Sequence, residues 1–314
     1  MANSLALVFP GQGSQSIGML SELAAAYPAV RACFDEASEG AAVDLWALSQ
    51  SGPEEQLNQT EFTQPALLAA GVAVWRVWVS EGGAAPDALA GHSLGEYVAL
   101  VAAGALSLAD GARLVRERGR LMQAAVPAGS GAMAAVLGAD DELVAEVCSS
   151  IAGPEVVVPA NFNSPGQIVI GGSVGGVDAA MAALAERGVR KMVKLAVSVP
   201  SHTPLMRQAA EQLAASMAEL SWSMPSIPVV QNVDAAVHDS IESIQNALRR
   251  QLFLPVRWTE CVQALAARGV NRFGEAGPGK VLTGLGKRID KQLDHRALGT
   301  PAELQQAKTE WSVQ

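Results

Sequence analysis

An α/β fold is predicted for this chain of 314 residues: a parallel, doubly wound sheet with a smaller βαββαβ unit inserted in it. Three observations predict it. Short apolar runs alternate with longer helical stretches, the pattern of parallel strands joined by crossover helices. Hydrophobic residues make up 49% of the chain and aromatics only 4%, so small aliphatic side chains must fill the core. That suits helices packed closely on both faces of a buried sheet. Between residues 129 and 197 the order of elements changes to strand, helix, strand, strand, helix, strand, the ferredoxin-like arrangement.

Taken in order, residues 5–9 are the first strand, and Pro10-Gly11-Gln12-Gly13-Ser14-Gln15 is the loop that ends it. A helical stretch, a polar excursion at Ser51-Gly52-Pro53 and a long apolar helix from Gln64 lead to a second strand ending in Ala88-Leu89-Ala90. Residues 96–103 are good helix formers. Pro127-Ala128-Gly129-Ser130-Gly131 has the composition of a hinge. Beyond it come a strand (132–137), a helix opened by Asp140-Asp141, a strand (156–160), a turn at Asn163-Ser164-Pro165-Gly166, a strand (167–170), a helix (177–187) and a strand (191–197). The expected organisation is one larger domain formed by 1–128 and 198–314, with 129–197 as the inserted subdomain. From Pro200 the larger pattern resumes: a helix (205–220), a strand (228–232), a helix (241–252), a strand near 270–273, then a Gly-rich turn and final helices, with loose residues at the C-terminus.

Composition excludes several classes. No apolar run reaches the roughly 18 residues of a membrane span, and the longest, 66–80, is broken by Arg76. Met1-Ala2-Asn3-Ser4 has no basic region and Pro10-Gly11 stops the apolar run after it, so no signal peptide and a cytoplasmic location are expected. Cys33, Cys148 and Cys261 are far apart and in no CxxC spacing, which favours three reduced, buried thiols over a metal site or disulfides. A net charge of −9 argues against bulk electrostatic binding of nucleic acid.

The chemistry concentrates at Gly91-His92-Ser93-Leu94-Gly95, which fits G-x-S-x-G between a strand and a helix. Such an elbow lifts a serine hydroxyl out of a tight turn. The helix that starts beneath it favours developing negative charge. Ser93 is the candidate nucleophile. Of the four histidines, His92 is expected to pack, while His238 and His295 are expected at the surface. His202 follows an apolar strand in a loop, where α/β proteins place their chemistry, and is the candidate base by elimination. Asp234 and Asp239 lack distinctive context as a third member, and a backbone carbonyl is the alternative.

Arg118 is the second clue. At 100° per residue, Gly111, Leu114, Val115, Leu121, Met122 and Ala125 fall within about 60° of it, while Arg113, Arg116 and Arg120 face the other way. A guanidinium in an apolar stripe calls for a carboxylate, either the chain's own in an ion pair or a ligand's in a clamp. Two loops imitate phosphate-binding motifs. Gly274-Glu275-Ala276-Gly277-Pro278-Gly279-Lys280 is followed by Val281 instead of Ser or Thr, and Gly11-x-Gly13-x-x-Ser16 lacks its third glycine. No nucleotide, metal or other cofactor is expected. The first of the two loops along the chain, at Gly11, offers N–H groups to an oxyanion near Ser93.

Together these stretches resemble the malonyl-CoA:acyl carrier protein transacylases of fatty-acid synthesis. The resemblance rests on Phe9-Pro10-Gly11-Gln12-Gly13-Ser14-Gln15, Thr63-Gln64-Pro65-Ala66-Leu67, Gly91-His92-Ser93-Leu94-Gly95-Glu96-Tyr97, Arg118-Gly119, Asn161-Phe162-Asn163-Ser164-Pro165-Gly166-Gln167, Val199-Pro200-Ser201-His202, Asn232-Val233-Asp234 and Gly277-Pro278-Gly279-Lys280-Val281-Leu282. It implies an α/β-hydrolase-like core and an acyltransferase that passes malonyl from malonyl-CoA, through an ester on Ser93, to the phosphopantetheine thiol of holo acyl carrier protein. His202 would be the base, the N–H groups of Gln12 and Leu94 the oxyanion hole, and Arg118 the holder of the malonyl carboxylate. Gln64 and Asn163 would line the site, and the main-chain carbonyl of Gln251 would orient His202. A monomer is implied. A serine hydrolase or thioesterase acting on CoA esters is the alternative that shares the elbow. Acyl carrier proteins of this pathway are acidic, so docking needs a basic patch on an acidic chain; Arg190, Lys191, Lys194, Lys280, Lys287 and Arg288 are candidates, with plain surface charge as the alternative for each.

Overall fold

β1 (Ser4–Phe9) lies at the centre of a five-stranded parallel sheet, and its alternating side chains explain both layers that cover it. Leu5, Leu7 and Phe9 point into one hydrophobic cluster and Ala6 and Val8 into another on the opposite face. The computed structural model describes residues 4–197 and 199–312. Met1, Ala2 and Asn3, on which the signal-peptide reading rests, and Ser198, which opens the expected second part of the larger domain, lie outside the described residues.

After β1, helices α1 (Ser21–Ala26), α2 (Pro28–Ala41), α3 (Leu45–Ser51), α4 (Glu54–Leu57) and α5 (Thr60–Ser80) lead to β2 (Ala88–Gly91), α6 (Leu94–Ala102) and α7 (Leu108–Ala124). α5 is long and apolar enough to cross a bilayer by length and composition, contrary to the expectation that no run suffices. Yet 78% of its most apolar window is buried in the protein, against α2, α6 and α7.

The inserted segment supplies β3 (Gly131–Leu137), α8 (Asp141–Ser150), β4 (Val157–Ser164), β5 (Gln167–Ser173), α9 (Val174–Glu186) and β6 (Lys191–Lys194). Its four strands form a separate antiparallel sheet in the order β4-β5-β3-β6, with a hydrophobic cluster of its own. A single 3₁₀ turn (Pro204–Met206) then leads to α10 (Arg207–Ala218), β7 (Val229–Val230), α11 (Ile241–Gln251), α12 (Trp258–Ala267), β8 (Val270–Glu275), α13 (Val281–Ile289), β9 (Asp294–Ala297) and α14 (Pro301–Ser312). The parallel sheet has the order β7-β2-β1-β8-β9. The chain therefore winds outward from β1 on one side and returns to build the other. The loops after β1 and β2 meet at the carboxyl edge, where open α/β sheets bind ligands.

Three details of the C-terminal third differ from expectation. α12 and β9 were not anticipated, and of the tail expected to be loose, the described residues up to 312 belong to α14, whose buried Trp311 sits edge-on to Trp78 at 5.8 Å. His295, expected at the surface, is buried on β9 and stacked on Phe273 with ring centroids 4.6 Å apart. Four residues that read Asp294-His295-Arg296-Ala297 give no sign of an edge strand whose alternate positions face inward.

The join between β2 and α6 is tight enough to require glycine. A Cβ on Gly91 would stand 1.9 Å from the main chain of Gly95, and one on Gly95 would stand 2.0 Å from Phe9 O. Backbone cannot give way there as a side-chain tip can. Gly95→Ala is therefore expected to cost about 3 kcal/mol of stability or more, read as a lower urea midpoint. An unchanged midpoint would mean that β1 and the elbow separate freely.

Candidate active site

Ser93 sits between β2 and α6 with φ 52° and ψ −106°, a conformation costly for any residue with a Cβ. Asn232 splints it from both sides. Its Oδ1 accepts from Ser93 N–H at 2.8 Å, and its Nδ2 donates to Gly91 O at 2.7 Å. The hydroxyl is thereby aimed at His202, whose Nε2 is 2.8 Å from Ser93 Oγ.

His202 also has a positive φ, of 61°. Its Nδ1 lies 2.6 Å from the main-chain oxygen of Gln251. A carbonyl only accepts, so Nδ1 carries the proton and Nε2 presents a lone pair to the serine. Burial, reinforced by the Arg118 charge and opposed by the Gln251 carbonyl, pulls the imidazole pKa down to about 3. The ring is neutral at physiological pH and able to accept a proton. No carboxylate completes a triad among the described residues. Asp234 is occupied by Arg250 at 2.8 Å and His238 at 3.2 Å, and Asp239 is exposed.

A depressed pKa fixes the sign of two pH effects. Between 6.5 and about 3 the unfolded chain protonates this position and the folded chain does not, so stability falls as pH drops below 6.5. Buried His295, at about 4, adds in the same direction. Acylation of Ser93, by contrast, is expected to keep a level rate from about pH 8 to 5, with no step in the ordinary histidine range. Rapid-mixing rates across that span check this; a titration near 6.5 would show that His202 is not held neutral.

Arg118 is fully buried on α7. Its Nη1 donates to Gln64 Oε1 at 2.8 Å, and its Nη2 to Gln251 Oε1 at 2.9 Å and to Ser93 Oγ at 3.3 Å. The guanidinium carbon stands 5.3 Å from the Tyr97 ring centroid. All these acceptors are neutral. Of the two readings of a buried arginine, the internal ion pair is not built: no carboxylate touches Arg118 among the described residues. A cation is held ready beside a serine hydroxyl without an anion of its own.

Ser93, Arg118, His202, Gln12, Leu94 and Asn163 all line one cavity of about 350 Å³ between the carboxyl edge of the parallel sheet and the antiparallel sheet. Leu94 opens α6, so its N–H has no intrahelical acceptor, as at any helix start. Asn163 reaches the cavity from β4 and accepts His92 Nε2 through Oδ1 at 2.8 Å. Gln64 is placed differently from the expectation that it lines the site: it lies behind Arg118 and holds it, because α5 is buried throughout this stretch.

The acyl transferase domain family matches residues 6–303. The chain belongs to the acyl transferase family. It is 53% identical over 305 residues to the malonyl CoA-acyl carrier protein transacylase of Salmonella typhimurium, with 97% of this chain and 99% of that protein covered. With the Bacillus subtilis protein of the same name it is 44% identical, covering 97% and 96%. The crystal structure of malonyl-CoA:acyl carrier protein transacylase from Xanthomonas oryzae pv. oryzae superposes with a TM-score of 0.98 at 69% identity over 99% of each chain. A malonyl-transacylase solved in complex with its type II polyketide acyl-carrier protein gives 0.96 at 51% identity, over 98% of this chain and 100% of that one. The resemblance drawn from the motifs is borne out.

Both phosphate-loop imitations have other duties in this acyltransferase. The N-terminus of α13 is already filled by Glu275, whose Oε1 and Oε2 accept from Leu282 N–H at 3.0 Å and Thr283 N–H at 2.7 Å. That carboxylate stands where an anion would be bound. The Gly11 loop carries Gln12 into the cavity. Three contributors escaped the sequence reading: the side chain of Gln251, Asn232 as the splint, and buried Glu96. All three stand at positions that sequence reading had already picked out, without a signal for what their side chains do.

Proposed function

We propose that this acyltransferase carries malonyl from malonyl-CoA to the phosphopantetheine thiol of an acyl carrier protein, through an ester on Ser93, and so supplies fatty-acid chain elongation. The observation that carries the reading is Arg118, buried, without a carboxylate partner among the described residues, and 3.3 Å from Ser93 Oγ. A malonyl group brings a carboxylate a few bonds from its thioester carbonyl, so one molecule satisfies both groups.

In this mechanism His202 Nε2 takes the hydroxyl proton as Ser93 Oγ attacks the thioester carbon. The N–H groups of Gln12 and Leu94 receive the oxyanion, each worth about 10²–10³ in rate. Collapse expels the CoA thiolate, which takes the proton back from His202. The carrier thiol then gives its proton to His202, attacks the ester and releases Ser93 Oγ, which recovers the proton. Arg118 holds the carboxylate through both halves. Asn163 forms part of the wall and Gln251 keeps the His202 tautomer. Parallel double-reciprocal lines are expected; intersecting lines, or release of free acid without any thiol acceptor, would point instead to a ternary mechanism or a hydrolase.

The proposal takes one chain as the working unit, since Ser93, His202, Arg118 and their partners all belong to one polypeptide. Three free, buried cysteines suit a reducing, cytoplasmic setting. Segment 129–197 is proposed as a subdomain on its own core, closing over the cavity, with 1–128 and 198–314 as the catalytic domain. All six candidate docking cations are exposed. Lys194 is paired with Asp178 at 2.5 Å and Lys280 with Glu303 at 2.6 Å. Of the other four, Arg288 donates to Gln167 of the cavity lining, which makes Arg288 and its neighbour Lys287 on α13 the pair to test. Reversing both charges is expected to raise the KM for carrier protein about tenfold with the rate of Ser93 acylation by malonyl-CoA unchanged; an unchanged KM removes this pair.

A further inference from the structure

Ser93-Leu94-Gly95-Glu96 has the form of a capping box, in which the serine hydroxyl caps the helix and the glutamate reaches back to the serine N–H. Neither contact is made. Ser93 gives α6 no side-chain cap, its hydroxyl lying against His202. Its N–H goes to Asn232 instead. Glu96 is thus released from its local partner, yet it is wholly buried beneath the elbow. Its Oε2 accepts from Asn232 N–H at 2.8 Å and from Gln251 Nε2 at 3.1 Å.

Gln251 serves the site with two separate groups. Its main-chain oxygen accepts from His202 Nδ1–H, and its side-chain Oε1 accepts from Arg118 Nη2. The side-chain amide has two unlike ends, and only one orientation suits Arg118, which has donors alone. Around Nε2 stand acceptors: Ser93 O at 2.9 Å, Glu96 Oε2 at 3.1 Å and Asn232 Oδ1 at 3.4 Å. A flipped amide would set NH₂ against the guanidinium and oxygen against those acceptors. Glu96 Oε2 accepts from Gln251 Nε2 and from Asn232 N–H at once, so one oxygen fixes both the amide and the splint beside it.

We propose that Glu96 is a positioning residue for acyl selection: by holding Gln251 Nε2 it turns Oε1 toward Arg118 and keeps the guanidinium aimed beside Ser93, without touching the substrate. The inference rests on the roles of Ser93 and Arg118 proposed above. Burial raises the Glu96 pKa to about 7, and Oε2 remains an acceptor in either protonation state, so the contact to Gln251 does not depend on the charge.

The test is the ratio of Ser93 acylation rates with malonyl-CoA and acetyl-CoA, read by intact-protein mass after rapid mixing. A ratio is insensitive to the folded fraction. Glu96→Gln keeps the oxygen and loses the charge, and its ratio is expected within about twofold of wild type. Glu96→Asp keeps the charge and withdraws the oxygen by one methylene; its ratio is expected to fall about tenfold, through a higher malonyl-CoA KM. Gln251→Met, which deletes the amide and keeps the main-chain carbonyl, is expected to lose at least as much and provides the check if Glu96→Asp does not fold. A lowered ratio in Glu96→Gln, an unchanged ratio in Glu96→Asp or Gln251→Met, or equal losses for both acyl groups would each overturn the proposal. Wild-type protein that takes no acyl group on Ser93, or takes both equally, would remove the site reading itself.

Discussion

Ser93→Ala is expected to abolish the malonyl adduct and to slow malonyl transfer by about 10⁴–10⁶-fold, because nucleophile and base act as one unit. The local geometry should survive the change. Ser93 is held at φ 52° through its N–H to Asn232 Oδ1 and by the glycines around it, and none of these contacts uses the hydroxyl. The variant should therefore fold, bind malonyl-CoA and give no mass increase. Loss of the hydroxyl also frees Arg118 Nη2 from its 3.3 Å contact, so binding of malonyl-CoA should be no weaker than in wild type. A persisting adduct, or transfer reduced by less than tenfold, would place the nucleophile elsewhere.

Arg118→Ala is expected to reduce malonyl acylation by roughly 30- to several-thousandfold, the equivalent of about 2–5 kcal/mol, while acetyl acylation changes far less. Two effects combine. The malonyl carboxylate would lose its cation in a desolvated cavity, and Gln64 Oε1 and Gln251 Oε1 would each lose a donor. Arg118→Lys should not restore the preference. A planar guanidinium reaches Gln64 through Nη1 and Gln251 through Nη2 at once, and a single ammonium on a flexible stem cannot hold that fork. Acylation by both CoA esters under single-turnover conditions is the measurement; proportional losses for malonyl and acetyl would show that Arg118 supports the fold of α7 and does not select the acyl group.

Much of the site was legible because its strongest signals are local. The glycines at 91 and 95 are dictated by backbone atoms within the same turn or on the next strand. Arg118 stood out because a 3.6-residue repeat places it inside an apolar stripe, and helix α7 keeps that repeat from end to end. His202 was reached by elimination, and the reason for elimination was partly wrong: His295 is buried on β9, not at the surface. What disqualifies it is its place against Phe273, away from the cavity. Gln64 was picked for the right neighbourhood, and its bond to Arg118 was not foreseen, since wall and support share one apolar helix sequence.

The sequence by itself determined the alternation of strands and helices, the elbow, the inserted antiparallel unit and the presence of a guanidinium in an apolar face. Most of these follow from sterics or periodicity within a few residues, with Gly95, pressed against Phe9 O of β1, as an exception. Only the tertiary structure decided who answers those groups. Asn232 reaches Ser93 across 139 positions of chain, and Gln251 reaches Glu96 across 155. It also decided that the buried arginine would meet amides and not a carboxylate. A side chain's burial can be inferred from its own neighbours in sequence, but its hydrogen-bond partner is set by which distant segments the sheet order brings to one edge, and no local pattern encodes that.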